Sequence, residues 1–414
     1  MEDSTTYEVT LTNFTYGGEA MGRLPDNRAV FVPFGLPGEQ VRVRLTQEKK
    51  SFARGEIVEI LEPSSDRIDA KCKHFSECGG CHYQHLSYDK QLQAKTEILI
   101  DQLKRIGKIE NPPVQNMVPS PNAWNYRNHV QFSLDRVGKL GFQKSNSNQV
   151  IPVTECHLPE QSINELWPQL EFEPETNVDR VSFRVGEDND LMLVLESETP
   201  EPPGLEIEAD ISVTHVYEEN TIVIAGSDHI VMNVLDRDFK VSAASFFQVN
   251  MAMAGKMVDH LLVKLPVGPS TTLLDVYCGV GLFSAFFAPK CKTVIGIESS
   301  ESSCEDFTVN LDDFDNVEIY EGAAEVVIPN LEAKPDMVLV DPPRVGLDKA
   351  VVDGILKLSP SLIAYVSCDP STLARDAARL TAGGFRLVRV VPFDLFPQTY
   401  HIESISLFEK RLHE

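Results

Sequence analysis

The sequence lacks a long hydrophobic run, and it is poor in basic residues. Its longest apolar stretches, such as residues 282–288, are far shorter than the ~20 residues of a membrane-spanning helix. The first twelve residues contain neither a basic start nor the apolar segment of a secretory signal. Eight cysteines in 414 residues, several of them clustered, favour metal binding or catalysis over disulfides. We therefore expect a cytoplasmic protein with no membrane partner.

Acidic residues outnumber basic ones by 62 to 37, and the net charge of −25 by itself argues against a polyanionic partner. The excess is uneven, because residues 165–230 contain 17 acidic residues and two arginines. Residues 42–54 reverse the sign, with five basic residues against Glu48: Arg42, Arg44, Lys49, Lys50 and Arg54. Taken alone, this basic run is better explained as a solvated strand face than as a phosphate-binding surface.

The pattern of apolar residues predicts three regions. Short alternating strands with glycine and proline breaks predict an OB-like β-barrel over residues 1–62. A β-rich central domain follows over residues 63–240, and it includes a helix predicted at 88–107. Over residues 241–414, strand-length apolar runs alternate with helix-length stretches, which predicts an α/β domain with a parallel, doubly wound, Rossmann-like sheet.

Four aromatic residues of the predicted barrel could serve a nucleic-acid partner. Aromatic rings on such barrels stack on unpaired bases, and they also fill barrel interiors. We expect most of them to fill the barrel: Phe14, Tyr16, Phe31 and Phe52.

A cofactor site is predicted where the strand at 273–277 runs into a glycine-containing turn. Gly279 and Gly281 allow a ligand to approach the backbone at the start of a helix. Glu298 ends the next apolar strand, where a carboxylate can accept hydrogen bonds from ribose hydroxyls. The three-glycine dinucleotide pattern is absent, so S-adenosylmethionine fits better than NAD. The rigid Asp341-Pro342-Pro343 turn follows another strand and holds Asp341 toward the same edge.

Two further motifs near the C-terminus point to nucleophilic chemistry. Cys368 ends a predicted strand, with Asp369 as N-cap of the next helix, and a helix N-terminus stabilises a thiolate. Glu403, with His401 beside it, precedes an alternating strand at 404–408 that we interpret as a late edge or hairpin strand. This arrangement predicts a carboxylate on the same loop face as Cys368.

A cluster of cysteines predicts a metal centre. Cys72, Cys78 and Cys81 lie within ten residues and are joined by Gly79 and Gly80, and Cys156 is a fourth candidate. The spacing of the thiols does not separate a tetrahedral Zn²⁺ from a [4Fe–4S] cluster. We interpret the remaining cysteines as structural: Cys278, Cys291 and Cys304.

In number and order, these motifs resemble the uracil-5 methyltransferases of RNA, which make 5-methyluridine in tRNA and large-subunit (23S) ribosomal RNA. The resemblance covers nearly the whole chain and implies a TRAM-like barrel and an RNA partner. We expect a monomer. It implies a [4Fe–4S] cluster on Cys72, Cys78, Cys81 and Cys156. It also implies that Cys368 is the nucleophile, that Glu403 is the proton acceptor, and that four residues contact S-adenosylmethionine: Gln248, Tyr277, Glu298 and Asp341. The chain departs from the family in its long acidic middle domain and in His129, where a lysine is expected.

Three alternatives remain open from the sequence. A cytosine-5 methyltransferase also uses a cysteine, but that family usually carries a Pro-Cys pair, and here Ser367 precedes Cys368. An amino-group methyltransferase could use the Asp341-Pro342-Pro343 turn and leave Cys368 idle. A non-catalytic RNA-binding iron–sulfur protein would tolerate loss of Cys368 without loss of any activity.

Overall fold

The structure, a computed structural model, describes residues 6–145, 147–174, 176–204, 209–218 and 220–411. Within these ranges the strands form a closed five-stranded barrel, a seven-stranded sheet, a two-stranded ribbon and a second seven-stranded sheet. This architecture confirms the predicted combination of an OB-like barrel, a β-rich central region and a Rossmann-like sheet. No helix in the described part of the chain is both long enough and apolar enough to cross a bilayer.

The barrel is built from five strands in the order β1-β2-β3-β5-β4. Alternation along the strands turns small aliphatic side chains inward, including Val9, Val30 and Val41. The prediction that aromatic residues mostly fill the barrel is wrong, because Phe31 and Phe52 form a half-buried edge-to-face pair instead. The strands are β1 (Thr6–Phe14), β2 (Glu19–Arg23), β3 (Ala29–Pro33), β4 (Gln40–Glu48) and β5 (Phe52–Glu62).

The central region begins with a long helix and continues as a sheet in the order β12-β11-β10-β9-β6-β7-β8. The acidic stretch at 165–230 includes β9 to β12, and two of its acidic residues, Asp179 and Glu196, lie in these strands. The elements are α1 (Tyr88–Arg105), β6 (His129–Leu134), β7 (Leu140–Gln143), β8 (Val150–Pro152), α2 (Gln161–Leu166), β9 (Val178–Val185), β10 (Leu191–Ser197), β11 (Ser212–Tyr217) and β12 (Asn220–Ala225). A ribbon of β13 (His229–Val234) and β14 (Arg237–Ser242) follows.

The C-terminal region alternates strands and helices around a sheet in the order β17-β16-β15-β18-β19-β21-β20. Its elements are α3 (Met251–Lys264), β15 (Thr272–Val276), α4 (Leu282–Phe287), β16 (Thr293–Glu298), α5 (Glu301–Asn310), β17 (Val317–Glu321), α6 (Ala324–Val327), β18 (Met337–Val340), α7 (Lys349–Leu358), β19 (Leu362–Ser367), α8 (Pro370–Ala382), β20 (Phe385–Phe393) and β21 (Glu403–Lys410). Short 3₁₀ turns lie at Trp167–Gln169, Glu187–Asn189, Ala288–Lys290 and Ile328–Asn330.

The strand order of this sheet places the candidate site. The central strand β15 pairs in parallel with β16 on one side and with β18 on the other, so the order of the strands reverses at β15. In sheets of this kind, ligands bind at the carboxyl ends of the strands beside such a reversal. The pair β20–β21 is a hairpin, as expected, but β21 lies inside the sheet between β19 and β20 rather than at its edge. Helix α1 packs against α8, and its Ile98, Leu99 and Leu103 join the core on that face.

Candidate active site

The turn after β15 is shaped for close approach of a ligand. Tyr277, Gly279 and Gly281 all have positive φ, at 65°, 53° and 92°. A Cβ on Gly281 would come within 2.4 Å of the Leu311 side chain, so only glycine fits there. Tyr277 holds this left-handed conformation although it has a side chain, and such strain is typical of functional sites.

Glu298 is held against this turn. Its Oε2 accepts a hydrogen bond from the Gly279 N–H at 3.0 Å, and its Oε1 accepts from the N–H groups of Ser299 and Ser300 at 2.7 and 2.9 Å. The carboxylate therefore lies at the carboxyl end of β16, next to the end of β15. The structure brings Tyr277 and Glu298 to one edge of the sheet, as the sequence predicted.

A cavity of about 520 Å³ lies at the same edge, a volume suited to a nucleoside-sized ligand. Tyr277 lines it, and Glu298 borders it through Ser299. Gln248 precedes α3 and is half-buried, and its backbone oxygen accepts a hydrogen bond from the Asn128 amide at 3.3 Å. The other lining residues come from the loops after β17 and β18 and from α6, α7 and α8: Ala323, Ala324, Glu325, Pro343, Val345, Gly346, Leu347, Asp348, Lys349, Arg375 and Arg379.

Two carboxyl groups lie beside this edge at the ends of β15 and β18. The Asp341 N–H donates to the Val276 carbonyl at 3.2 Å, which fixes Asp341 to the neighbouring strand. Burial, together with the charge of Asp275, raises the pKa of Asp341 to about 7. Asp275 is fully buried, and burial raises its pKa to about 7 although Ser284 Oγ donates to it at 2.6 Å.

The structure brings Cys368 and Glu403 together. Ser367, the last residue of β19, pairs with Ser404 of β21, so Cys368 and Glu403 are the next residues outward on adjacent strands. Glu403 is only 4% exposed. Burial raises the pKa of Glu403 well above its usual range, with a further rise from the charge of Asp341. A thiol and a carboxyl group therefore converge at one end of the sheet.

The structure contradicts the predicted stabilisation of the Cys368 thiolate by a helix N-terminus. Burial raises the pKa of Cys368 to about 12, and the charges of Glu403, Asp341 and Asp369 add to the rise. The cap of α8 explains why the helix does not compensate. Asp369 Oδ1 accepts hydrogen bonds from the N–H groups of Ser371 and Thr372 at 2.8 and 3.0 Å, so a carboxylate already occupies the helix N-terminus.

The structure adds Arg344 to the site, a residue to which the sequence motifs assigned no role. It is exposed, it follows the Asp341-Pro342-Pro343 turn, and its Nη2 lies 3.4 Å from His401 Nε2. Its positive charge lowers the pKa of Cys368 and of Glu403, against the rise caused by burial. The position of an arginine after a strand-end turn was the available signal. Burial lowers the pKa of His401 to about 3, so this imidazole is neutral.

The four clustered cysteines line a second cavity, of about 260 Å³, in the central region. Cys72, Cys78, Cys81 and Cys156 are all free thiols, and Arg127 lines the same cavity. A Cβ on Gly79 would come within 2.8 Å of the Gln143 oxygen, which explains a glycine in this tight loop. In the described ranges, however, no three or more His, Cys, Asp or Glu side chains are arranged to hold a metal ion.

Three of the five residues in the basic run of the barrel form ion pairs across the strands. Arg42 pairs with Glu8 at 3.0 Å and with Glu59, Arg44 pairs with Glu56, and Arg54 pairs with Glu19 at 2.8 Å. These contacts support the interpretation of a solvated strand face, because three of the five basic residues are already matched by carboxylates.

Comparisons with known proteins identify the family. The profile of the family described as tRNA (uracil-5-)-methyltransferase matches residues 218–411, and that of the TRAM domain matches residues 3–58. An uncharacterized RNA methyltransferase of Caldanaerobacter subterraneus subsp. tengcongensis is 35% identical to this chain over 444 residues. The alignment covers 98% of each of the two chains. The chain belongs to the RNA uracil-5 methyltransferase family. It is thus an enzyme that methylates RNA with S-adenosylmethionine.

Further relatives of this RNA methyltransferase cover it over nearly its full length. An uncharacterized RNA methyltransferase of Halalkalibacterium halodurans is 33% identical, and the alignment covers 97% of this chain and 96% of the relative. One of Aquifex aeolicus is 34% identical, with 97% of this chain and 98% of the relative covered. The tRNA (uracil-54, C5)-methyltransferase of Pyrococcus abyssi, solved with S-adenosyl-L-homocysteine, matches with a TM-score of 0.74 at 24% identity. That match covers 97% of this chain and 100% of the other, and it shows a shared fold.

Proposed function

We propose that this RNA methyltransferase modifies carbon 5 of a specific uridine in tRNA or 23S ribosomal RNA through a covalent adduct between Cys368 and carbon 6 of the base. The observation that supports this proposal most is the convergence of a thiol and a buried carboxyl group at adjacent strand ends, Cys368 after β19 and Glu403 at the start of β21. Such a pair can act at two successive steps on one carbon–carbon bond.

The residue types match the needs of the reaction. Carbon 5 of uracil is a poor nucleophile, so the Cys368 thiolate first adds to carbon 6 and forms a carbon–sulfur bond and an enolate. The enolate carbon would then take the methyl group from the sulfonium of the cofactor, and the electron pair of the broken S–CH3 bond would stay on the sulfur. Glu403 removes the carbon-5 proton, and the electron pair of that C–H bond re-forms the double bond as the thiolate leaves. The target base must leave its stack, which costs only a few kcal/mol in a single-stranded loop.

The charges around Cys368 indicate when the thiol becomes reactive. Burial and the neighbouring carboxylates raise the pKa of both Cys368 and Glu403. S-adenosylmethionine supplies the methyl group and a positively charged sulfonium when it is bound. If Asp341 contacts the cofactor as proposed, this positive charge would favour the ionised forms of Asp341, Glu403 and Cys368. We therefore expect Cys368 to be more reactive in the presence of the cofactor than in its absence.

The cofactor contacts that we propose are Gln248, Tyr277, Glu298 and Asp341. The strained turn at Tyr277, the fixed carboxylate of Glu298 and the adjoining cavity support three of these positions. Gln248 is supported by its place before α3, next to Asn128. Glu298 is suited to the ribose hydroxyls, and Asp341 lies between the cofactor edge and Cys368.

We further propose that Cys72, Cys78, Cys81 and Cys156 hold a [4Fe–4S] cluster. All four thiols line one cavity, as a cluster larger than a single ion requires. The positive charge of Arg127 can balance the negative charge of thiolates bound to the cluster. The cluster takes no part in methyl transfer in our account, and we assign it a structural role. The eight free thiols fit a reducing compartment, which supports a cytoplasmic location.

The cluster is tested by metal analysis of anaerobically purified protein. We expect a brown protein with about four irons. Cys78→Ser should lose the colour, whereas Cys291→Ser, at a buried cysteine outside the cavity, should keep it. Stoichiometric zinc without iron would contradict the cluster and leave the methyl-transfer proposal standing.

The reaction is tested by incubating RNA from cells that lack this protein with the purified enzyme and methyl-labelled cofactor. We expect the label in 5-methyluridine, at one or a few uridines located by mass spectrometry. Cys368→Ala should abolish the label, and Cys291→Ala serves as the control for loss of a cysteine. Label in 5-methylcytidine or on an exocyclic amine would instead favour the cytosine or amino-group alternative.

A further inference from the structure

Tyr16 of the N-terminal TRAM domain reaches into the candidate active site. It lies in the turn between β1 and β2, and its Oη donates a hydrogen bond to Asp369 Oδ2 at 2.8 Å. The two residues are 353 positions apart in the sequence. Asp369 directly follows Cys368, so the barrel contacts the residue next to the proposed nucleophile.

The surroundings of Tyr16 show that it belongs to the catalytic region rather than to the barrel core. Its ring packs with the apolar residues of the catalytic sheet and of α1 and α8, whereas the barrel core is filled by aliphatic side chains such as Val9. It also contacts Tyr400 edge to face, with the ring centroids 5.6 Å apart. Tyr400 in turn packs on His401 at 4.3 Å, two residues before Glu403.

Asp369 divides its carboxylate between two partners. Oδ1 caps α8 through the N–H groups of Ser371 and Thr372, and Oδ2 accepts from Tyr16. The Asp369 backbone is also fixed, because its N–H donates to Ser367 Oγ at 3.2 Å and its carbonyl accepts from the same hydroxyl at 3.0 Å. The hydrogen bonds that cap α8 are sufficient to orient the Asp369 carboxylate. The Tyr16 hydroxyl therefore adds chiefly the positive end of its O–H dipole at Asp369 Oδ2.

That dipole bears on the charge balance at Cys368. The thiol faces three carboxyl groups, Glu403 from β21, Asp341 from the turn after β18 and Asp369 from its own loop. The opposing charge comes from Arg344. A hydrogen bond donated to Asp369 reduces the negative potential at the sulfur, because it compensates the nearest charge along the chain.

We propose that Tyr16 is a positioning residue for catalysis, through which the TRAM barrel partly neutralises Asp369 and thereby favours the reactive form of Cys368. This inference rests on the proposed role of Cys368 as nucleophile. It assigns the barrel a part in catalysis.

The test uses Tyr16→Phe in the full-length protein, with Tyr7→Phe as the control for loss of a phenol in the same barrel. The readout is alkylation of Cys368 by iodoacetamide, followed on the tryptic peptide 358–375, in which Cys368 is the sole cysteine. Because the thiolate is the reacting form, we expect Tyr16→Phe to move the rate profile to higher pH and to slow alkylation roughly fivefold at a given pH. Tyr7→Phe should match the parent protein.

A double-mutant cycle separates this role from simple contact between domains. Asp369→Asn keeps an oxygen for the cap and removes the charge, so it should speed alkylation. In that background Tyr16→Phe should change the rate less than twofold. The proposal would be overturned if Tyr16→Phe left the pH profile of the alkylation rate unchanged. It would also be overturned if Tyr16→Phe slowed alkylation equally with Asp369 and with Asn at this position.

A methyl-transfer assay completes the test. Tyr16→Phe should lower kcat with little change in KM for RNA, whereas loss of RNA binding alone would raise KM with kcat unchanged and contradict the positioning role. Alkylation requires neither RNA nor methyl transfer. If Cys368→Ala still methylates uridine, the proposed function fails while the alkylation result stands by itself.

Discussion

The ion pair between Lys95 and Asp394 offers a test of how the catalytic segment is held. Both side chains are 0% exposed, and Lys95 Nζ lies 2.6 Å from Asp394 Oδ1. The same ammonium donates to the Phe396 carbonyl at 3.0 Å. Lys95 belongs to α1, while Asp394 and Phe396 belong to the segment that leads from β20 to Glu403. The pair therefore anchors that segment to the helix.

Lys95→Met removes one charge of this pair and keeps a side chain of similar length. Asp394 is then a buried charge without its cation, so we expect the free energy of unfolding to fall by about 3–5 kcal/mol. Burial lowers the pKa of Lys95, and the charge of Asp394 opposes this shift. Urea unfolding measures this loss of stability. The control is Lys104→Met, at an exposed position of the same helix, and its free energy of unfolding should stay within about 0.5 kcal/mol of the parent value.

The double variant Lys95→Met with Asp394→Leu distinguishes a missing partner from a packing defect. Replacing both charges by apolar groups should recover much of the stability, since a buried pair is often no more stable than a hydrophobic substitute. A loss below about 1 kcal/mol in Lys95→Met, or no recovery in the double variant, would refute this explanation of the anchor.

A buried carboxyl group and a charged surface provide two more tests. The pKa of Asp275 is raised to about 7 in the folded protein, whereas the unfolded chain releases this proton from about pH 4 upward. The folded protein therefore loses stability relative to the unfolded chain as the pH rises from about 4 to about 7. Asp275→Asn should match the parent near pH 4 and exceed it in thermal stability at pH 8, whereas the exposed Asp353→Asn should show no such trend. Glu56→Gln with Glu59→Gln removes two of the four carboxylates that pair with the barrel arginines and leaves Arg44 without its partner. The log–log salt slope of RNA binding should then steepen by about 0.7 for each phosphate that the released arginines neutralise. An unchanged slope in fluorescence anisotropy would mean that this barrel face does not meet the RNA backbone.

Local patterns carried most of the fold prediction. Period-two alternation with glycine and proline breaks predicted the barrel, and strand-length apolar runs separated by helix-length stretches predicted the Rossmann-like sheet. Cys368 and Glu403 were predicted on one face because each lies at a strand end, and the register of β19 with β21 brings them together. Their roles stay predictions until they are tested on RNA.

Features that depend on contacts between distant segments could not be predicted. The helix rule for Cys368 considered only its own loop, whereas the carboxyl groups of Asp341 and Glu403 arrive from other strands. The ion pairs of the barrel arginines depend on cross-strand register, and the bond from Tyr16 to Asp369 joins two domains. Each of these requires the folded arrangement, because no spacing along the chain signals it.

The most direct test of the central claim is the fate of Glu403→Gln on RNA. An amide cannot accept the carbon-5 proton, while Cys368 is left intact to add to carbon 6. With methyl-labelled cofactor and RNA, we predict a labelled protein–RNA adduct that migrates slowly on a denaturing gel and disappears when Cys368→Ala is added. Normal turnover by Glu403→Gln, or methylation of uridine by Cys368→Ala, would contradict the proposed mechanism.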